Sequence, residues 1–81
     1  INDQMTLDIS TIDNTPSGKK VSGKVYGKDG KPLPGVNIEI RGTTKGTVSD
    51  RDGSFMIQLD DPGQELHFSY IGYETVKKSF D

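Results

Sequence analysis

The chain has no cysteine, which excludes a disulfide scaffold and a cysteine-ligated zinc site and leaves redox compartment undetermined. It has no alanine either, so the best helix former is missing, while glycine, threonine, serine, valine and isoleucine are plentiful. An all-helical fold is therefore not expected. No apolar run approaches the roughly 18 residues of a membrane-spanning helix, and no signal-peptide core is present. Opening on Ile1 rather than Met, the sequence is expected to be a soluble fragment or a processed segment, with no membrane insertion of its own. Neither sign of charge dominates: 10 basic and 12 acidic residues are scattered to a net charge of -2, which offers no footprint for nucleic acid or an anionic membrane. Lys19-Lys20 and Lys77-Lys78 read as solvated pairs. Apolar residues are also sparse, at roughly 38% counting glycine and omitting tyrosine, against a norm of about 45–50%. At 81 residues the chain makes one domain with a thin core.

What is present is a succession of short alternating segments punctuated by Gly, Pro and Asp. Met5, Leu7 and Ile9 alternate with Thr6, Asp8 and Ser10 before Asn14-Thr15-Pro16-Ser17-Gly18 breaks the pattern. Residues 1–20 thus read as an N-terminal extension or linker, or as an added edge strand, ahead of a domain over 21–81. Val21, Gly23 and Val25 form the first regular strand, stopped at Gly27-Lys28-Asp29-Gly30. Pro32-Leu33-Pro34-Gly35 cannot supply a full set of amide donors, so pairing resumes after Gly35, with Val36, Ile38 and Ile40 on one face. Gly42 to Gly46 bracket a turn, and a short strand follows around Thr47-Val48. Asp50-Arg51-Asp52-Gly53 then turns the chain into Phe55, Ile57 and Leu59, which share a face. Beyond Asp60-Asp61-Pro62-Gly63, Leu66, Phe68 and Tyr70 alternate. Gly72 interrupts the run before a last strand within Tyr73 to Phe80, and a bulge or bend there would reconcile Tyr73 with Val76. Six or seven strands at about ten-residue spacing, with no room for a crossover helix, indicate an all-β antiparallel sandwich or small barrel.

Chemistry-bearing residues are few. The single histidine, His67, has no cysteine or second histidine beside it and reads as a surface residue. Nucleophile-elbow, P-loop, dinucleotide and zinc-protease motifs are all missing, which points away from an enzyme. Asp50 and Asp52 invite a calcium interpretation, since hard cations want several oxygens on a flexible loop, but the spacing is not that of an EF-hand. Asp and Gly also suit the turn itself, because Asp bonds local amides and Gly tolerates positive φ. Tyr26, Tyr73 and Phe80 are the exposed aromatic candidates for a carbohydrate platform, whereas Tyr70 and Tyr73 are expected to pack at the end of the sandwich.

Four spaced elements go beyond a generic β pattern: V-x-G-x-V from Val21, P-L-P-G-V from Pro32, G-T-x-x-G-T-x-S-D-x-D-G-x-F from Gly42, and F-S-Y-I-G-Y from Phe68. Together, over Val21 to Phe80, they resemble the carboxypeptidase-D regulatory-like domain. The likeness is nearest to the version at the periplasmic N-terminus of SusC/RagA-type TonB-linked outer-membrane transporters of Bacteroidetes. The resemblance implies a transthyretin-like (prealbumin-like) Greek-key β-sandwich. It marks Gly23, Gly35, Gly42, Gly46, Asp50, Asp52, Gly53 and Gly72 as structural turn positions, with Phe55, Phe68, Tyr70 and Tyr73 as signature aromatics. It carries over no catalytic residue, metal ligand or cofactor. The implied role is a non-catalytic accessory module on the periplasmic face of the outer membrane, within a receptor importing glycans or other large nutrients. Its implied partners are the parent's plug and barrel, a periplasmic protein or components of the TonB system. The alternatives are the same module on another periplasmic or cell-surface protein, such as a peptidase, and a weak carbohydrate-binding module.

Overall fold

The computed structural model describes residues 3–16, 18–60 and 64–79. Among them the regular structure is seven strands and no helix: β1 (Thr6–Thr15), β2 (Gly18–Tyr26), β3 (Asn37–Ile40), β4 (Gly46–Val48), β5 (Ser54–Leu59), β6 (Glu65–Ser69) and β7 (Val76–Ser79). They form two sheets, ordered β1-β2-β5 and β4-β3-β6-β7, in which every strand pair is antiparallel. The chain is an all-β sandwich, as its alternating pattern requires.

The inward faces follow the period of two. Val21 and Val25 from β2, Ile38 and Ile40 from β3 with Val36 just before it, Phe55, Ile57 and Leu59 from β5, and Leu66 and Phe68 from β6, with Met5 ahead of β1, make the buried core. At its centre Phe55 and Phe68, one from each sheet, meet edge-on with ring centroids 5.3 Å apart at 74°. That geometry sets the positive rim of one ring against the negative face of the other.

β1 pairs with β2 from Thr6–Tyr26 to Thr15–Gly18, so the Asn14-to-Gly18 punctuation falls at a hairpin reversal. The register shifts between Ile9 and Thr11. This one-residue bulge puts Ile12 opposite Val21, on the same face as Leu7 and Ile9, where unbroken alternation would have placed Thr11. The last strand is shorter than the run from Tyr73 suggested. Tyr70 to Tyr73 is a turn, closed by the Tyr73 amide on the Tyr70 carbonyl (3.0 Å) with Gly72 at φ 85°, and pairing resumes at Val76. Tyr73 instead forms an isolated parallel bridge with Asp3. The expected turn residues Asp61, Pro62 and Gly63, and Phe80, lie outside the described residues.

Candidate functional site: the signature turn and the open strand edges

The Asp50-Arg51-Asp52-Gly53 turn is built from its own backbone. Asp50 Oδ1 accepts hydrogen bonds from the amides of Asp52 (2.9 Å) and Ser54 (3.0 Å), while the Gly53 amide donates to the Asp50 carbonyl (2.9 Å). Asp50 thus acts as an Asx-type cap on the reversal, and Asp52 contributes its amide. Gly53 has φ 77°, and a Cβ there would lie 2.6 Å from the Val25 carbonyl oxygen, so both its conformation and its neighbour demand glycine. One oxygen of the possible calcium pair is therefore engaged by two amides. No group of three or more His, Asp or Glu side chains suited to a metal occurs among the described residues.

Ser49, just before the turn, is the buried polar residue that sequence patterning did not single out. Only 5% exposed, it accepts from the Val36 amide (2.9 Å) and donates to the Leu33 carbonyl (2.8 Å) through its hydroxyl. Its own amide and carbonyl bond the Val36 carbonyl and the Gly35 amide, both at 3.0 Å. One small hydroxyl thereby fastens the Pro32-Leu33-Pro34-Gly35 loop to the end of β4. The available signal was the serine inside the T-x-S-D element, a residue too common in turns to be read as buried.

The other signature positions are dispersed. Gly35 and Gly42 sit in turns with φ 81°, and Gly46 lies in β4 where a Cβ would meet the Ile38 carbonyl oxygen at 2.5 Å. Gly23 lies in β2 opposite Ile9 of β1, where a Cβ would meet the Asp8 carbonyl oxygen at 2.4 Å. Tyr70 and Tyr73 stack at a tilt, centroids 6.0 Å apart, half-buried against the core, and the Tyr73 hydroxyl accepts from the Lys28 amide (3.3 Å). Tyr26 is half-buried as well. The structure does not gather the tyrosines into one exposed platform.

On the outer face of the second sheet His67 is half-buried, and its Nε2 lies 2.7 Å from Glu65 Oε1. This hydrogen bond, with the positive charges of His67, Arg41 and Lys77, holds the Glu65 carboxyl below the usual carboxylate range against the opposing effect of desolvation. The pair is a local surface hydrogen bond.

The remaining chemical resource is unpaired strand edge. β4 and β5 are neighbours in sequence but edge strands of different sheets, and an open groove of about 320 Å³ between them is lined by Thr47, Val48, Asp50, Ser54, Phe55 and Met56. Bonds from the Ile40 amide to the Lys45 carbonyl and from the Ser49 amide to the Val36 carbonyl turn Lys45 and Ser49 toward β3. By alternation the peptide groups of Gly46 and Val48 point away from it. The bond from the Val25 amide to the Gly53 carbonyl sets the same phase on β5, where Met56 and Gln58 point away from β2. The Asp50–Gly53 turn closes one end of this seam. Lys45 and Asp60 form an ion pair (2.6 Å) between its other flanks. Val48 and Met56, each 56% exposed, stand beside it. Such an edge can hydrogen-bond an extended segment and give its side chains apolar contact.

Comparison with known proteins identifies the family. A family model described as CarboxypepD_reg-like domain matches residues 21–81. TonB-dependent receptor P39 of Formosa agariphila is 48% identical over 66 residues, covering 80% of this chain and 6% of the receptor. TonB-dependent receptor SusC of Bacteroides thetaiotaomicron is 39% identical over 54 residues, covering 67% of this chain and 5% of the receptor. The chain thus spans about one-twentieth of the length of these curated relatives. No solved structure gives a significant match. The chain belongs to the CarboxypepD_reg-like domain family, in the form carried by TonB-dependent receptors of the SusC type.

Proposed function

We propose that this domain is a non-catalytic accessory module of a TonB-dependent outer-membrane receptor, positioned on the periplasmic face, where it docks an extended segment of its parent or of a periplasmic partner during import of glycans or other large nutrients. The observation that carries the proposal is the 48% identity to a TonB-dependent receptor over 80% of the chain. The open β4–β5 seam supplies the means, since strand addition draws on backbone groups and asks little of side chains. The signature glycines, Asp50 and Asp52 serve the fold in this proposal, and the working unit includes β1 as an added edge strand, because β1 is paired along β2 and Asp3 is bonded to the β6–β7 connection.

The test is deletion of residues 3–79 from the parent receptor, with substrate uptake and receptor abundance measured together. Uptake is expected to fall while the barrel remains folded in the outer membrane. Unchanged uptake at normal receptor levels would sink the proposal.

A further inference from the structure

β2 carries the V-x-G-x-V element of the matched domain, yet the reason for its glycine lies outside that match, which begins at Val21. A Cβ on Gly23 would sit 2.4 Å from the Asp8 carbonyl oxygen and 3.0 Å from the Ile9 Cα, and its three nearest atoms all belong to these two residues of β1. Backbone cannot swing aside as a side-chain tip can, so position 23 must be glycine while β1 holds this register. The bulge between Ile9 and Thr11 falls at the same place. Gly23 is thus a notch in the edge of β2, filled by the bulged backbone of β1.

The side chains of β1, by contrast, add little to the core. Among the described residues, every buried apolar side chain except Met5 comes from Val21 or later. Within β1 itself Leu7 and Ile9 are half-buried and Ile12 is 47% exposed. Beyond the ladder, this segment is held by Met5, by Leu7 and Ile9 packed against the core, by the Asp3 amide on the Gly72 carbonyl (3.2 Å), by the Glu74 amide on the Asp3 carbonyl (2.8 Å), and by exposed contacts of Gln4 with Glu74 and Lys28 with Asp3. That is the binding mode of a peptide added to a sheet edge, here supplied in cis.

We propose that the outer edge of β2, notched at Gly23, is a strand-acceptor site whose resident occupant is β1, and that β1 of a second copy of this chain exchanges into it. The incoming strand repeats every contact of the outgoing one, so exchange between copies costs only the transient opening. The sandwich formed from Val21 onward is expected to stay folded through the exchange, because ten of the eleven buried apolar side chains among the described residues come from Val21 or later, while Met5, Leu7 and Ile9 only close one side of that core.

The experiment uses the full 81-residue chain and, as probe, an isotope-labelled synthetic peptide covering residues 3–16. In the chain alone, β1 amides are expected to exchange with solvent at least about tenfold faster than those of β3 and β6, through local opening. With excess peptide, labelled strand is expected to enter saturably, shifting the amides of Val21–Tyr26 and leaving β3 and β6 unmoved. Gly23→Ala is expected to release β1 to exchange and block peptide entry while β3 and β6 keep their protection. Three outcomes overturn the proposal: β1 exchanging only with global unfolding, a scrambled peptide entering equally well, or peptide binding with β1 still in place. Loss of the whole sandwich in Gly23→Ala overturns it too, since β1 is then inseparable from the fold.

Discussion

At the residue scale the domain depends on small polar groups placed where side-chain size would do harm. Ser49 is the clearest case, since its hydroxyl both accepts from the Val36 amide and donates to the Leu33 carbonyl while almost wholly buried. Ser49→Ala leaves both backbone groups without that partner in a site with little access to water. A loss of about 1–3 kcal/mol is expected by chemical denaturation, the cost of stranding buried polar groups. Glu65 offers a pH-dependent test. Its carboxyl is held below the usual range chiefly by the hydrogen bond from His67, so this contribution to stability is present above the ordinary carboxylate pKa and is lost as pH falls through the lower folded value. In His67→Ala the Glu65 carboxyl should titrate higher, nearer the ordinary range. An NMR titration of its side-chain carbon checks this, and an unmoved midpoint would show that Arg41 and Lys77 alone suffice.

At the element scale, strands whose residues alternate regularly were legible in the sequence, and those that break step were not. Val21 and Val25, then Val36, Ile38 and Ile40, then Phe55, Ile57 and Leu59 fall on the buried face, with Met56 turned outward. The first strand lost its signal at Ser10 because the bulge shifts the phase there, so that Ile12 rather than Thr11 continues the inner face. The last strand was blurred because Tyr73 belongs to a turn and a bridge with Asp3, not to β7. Docking edges are less legible still, since which strand ends a sheet depends on pairing order. The β4–β5 seam can be probed by Val48→Lys with Met56→Lys, both outward and exposed. Stability is expected to change by no more than about 0.5 kcal/mol per site, as for other surface substitutions. Receptor-dependent uptake, assayed in the parent, is expected to fall; full uptake would remove this edge from the docking proposal.

At the scale of the whole molecule, two small sheets share one core, joined at one side by the Asp50–Gly53 turn and at another by Asp3 bonded across to Gly72 and Glu74. The Asp-rich turn belongs to this frame, with Asp50 already committed to local amides. Millimolar calcium is therefore expected to leave the melting temperature unchanged in a thermal scan. A rise that grows with calcium concentration, as ligand linkage requires, would restore the turn as a cation site.

The sequence by itself determined the all-β class and the inward faces of the regularly alternating strands, because period-two alternation is a local property of the chain. It also carried, in four spaced motifs, the family to which the domain belongs. Tertiary structure alone decided which strands became edges, that Ser49 is buried, and that β1 lies across Gly23. Those facts arise from contacts between residues far apart in sequence, where the backbone of one strand, and not a pattern within another, sets what can fit.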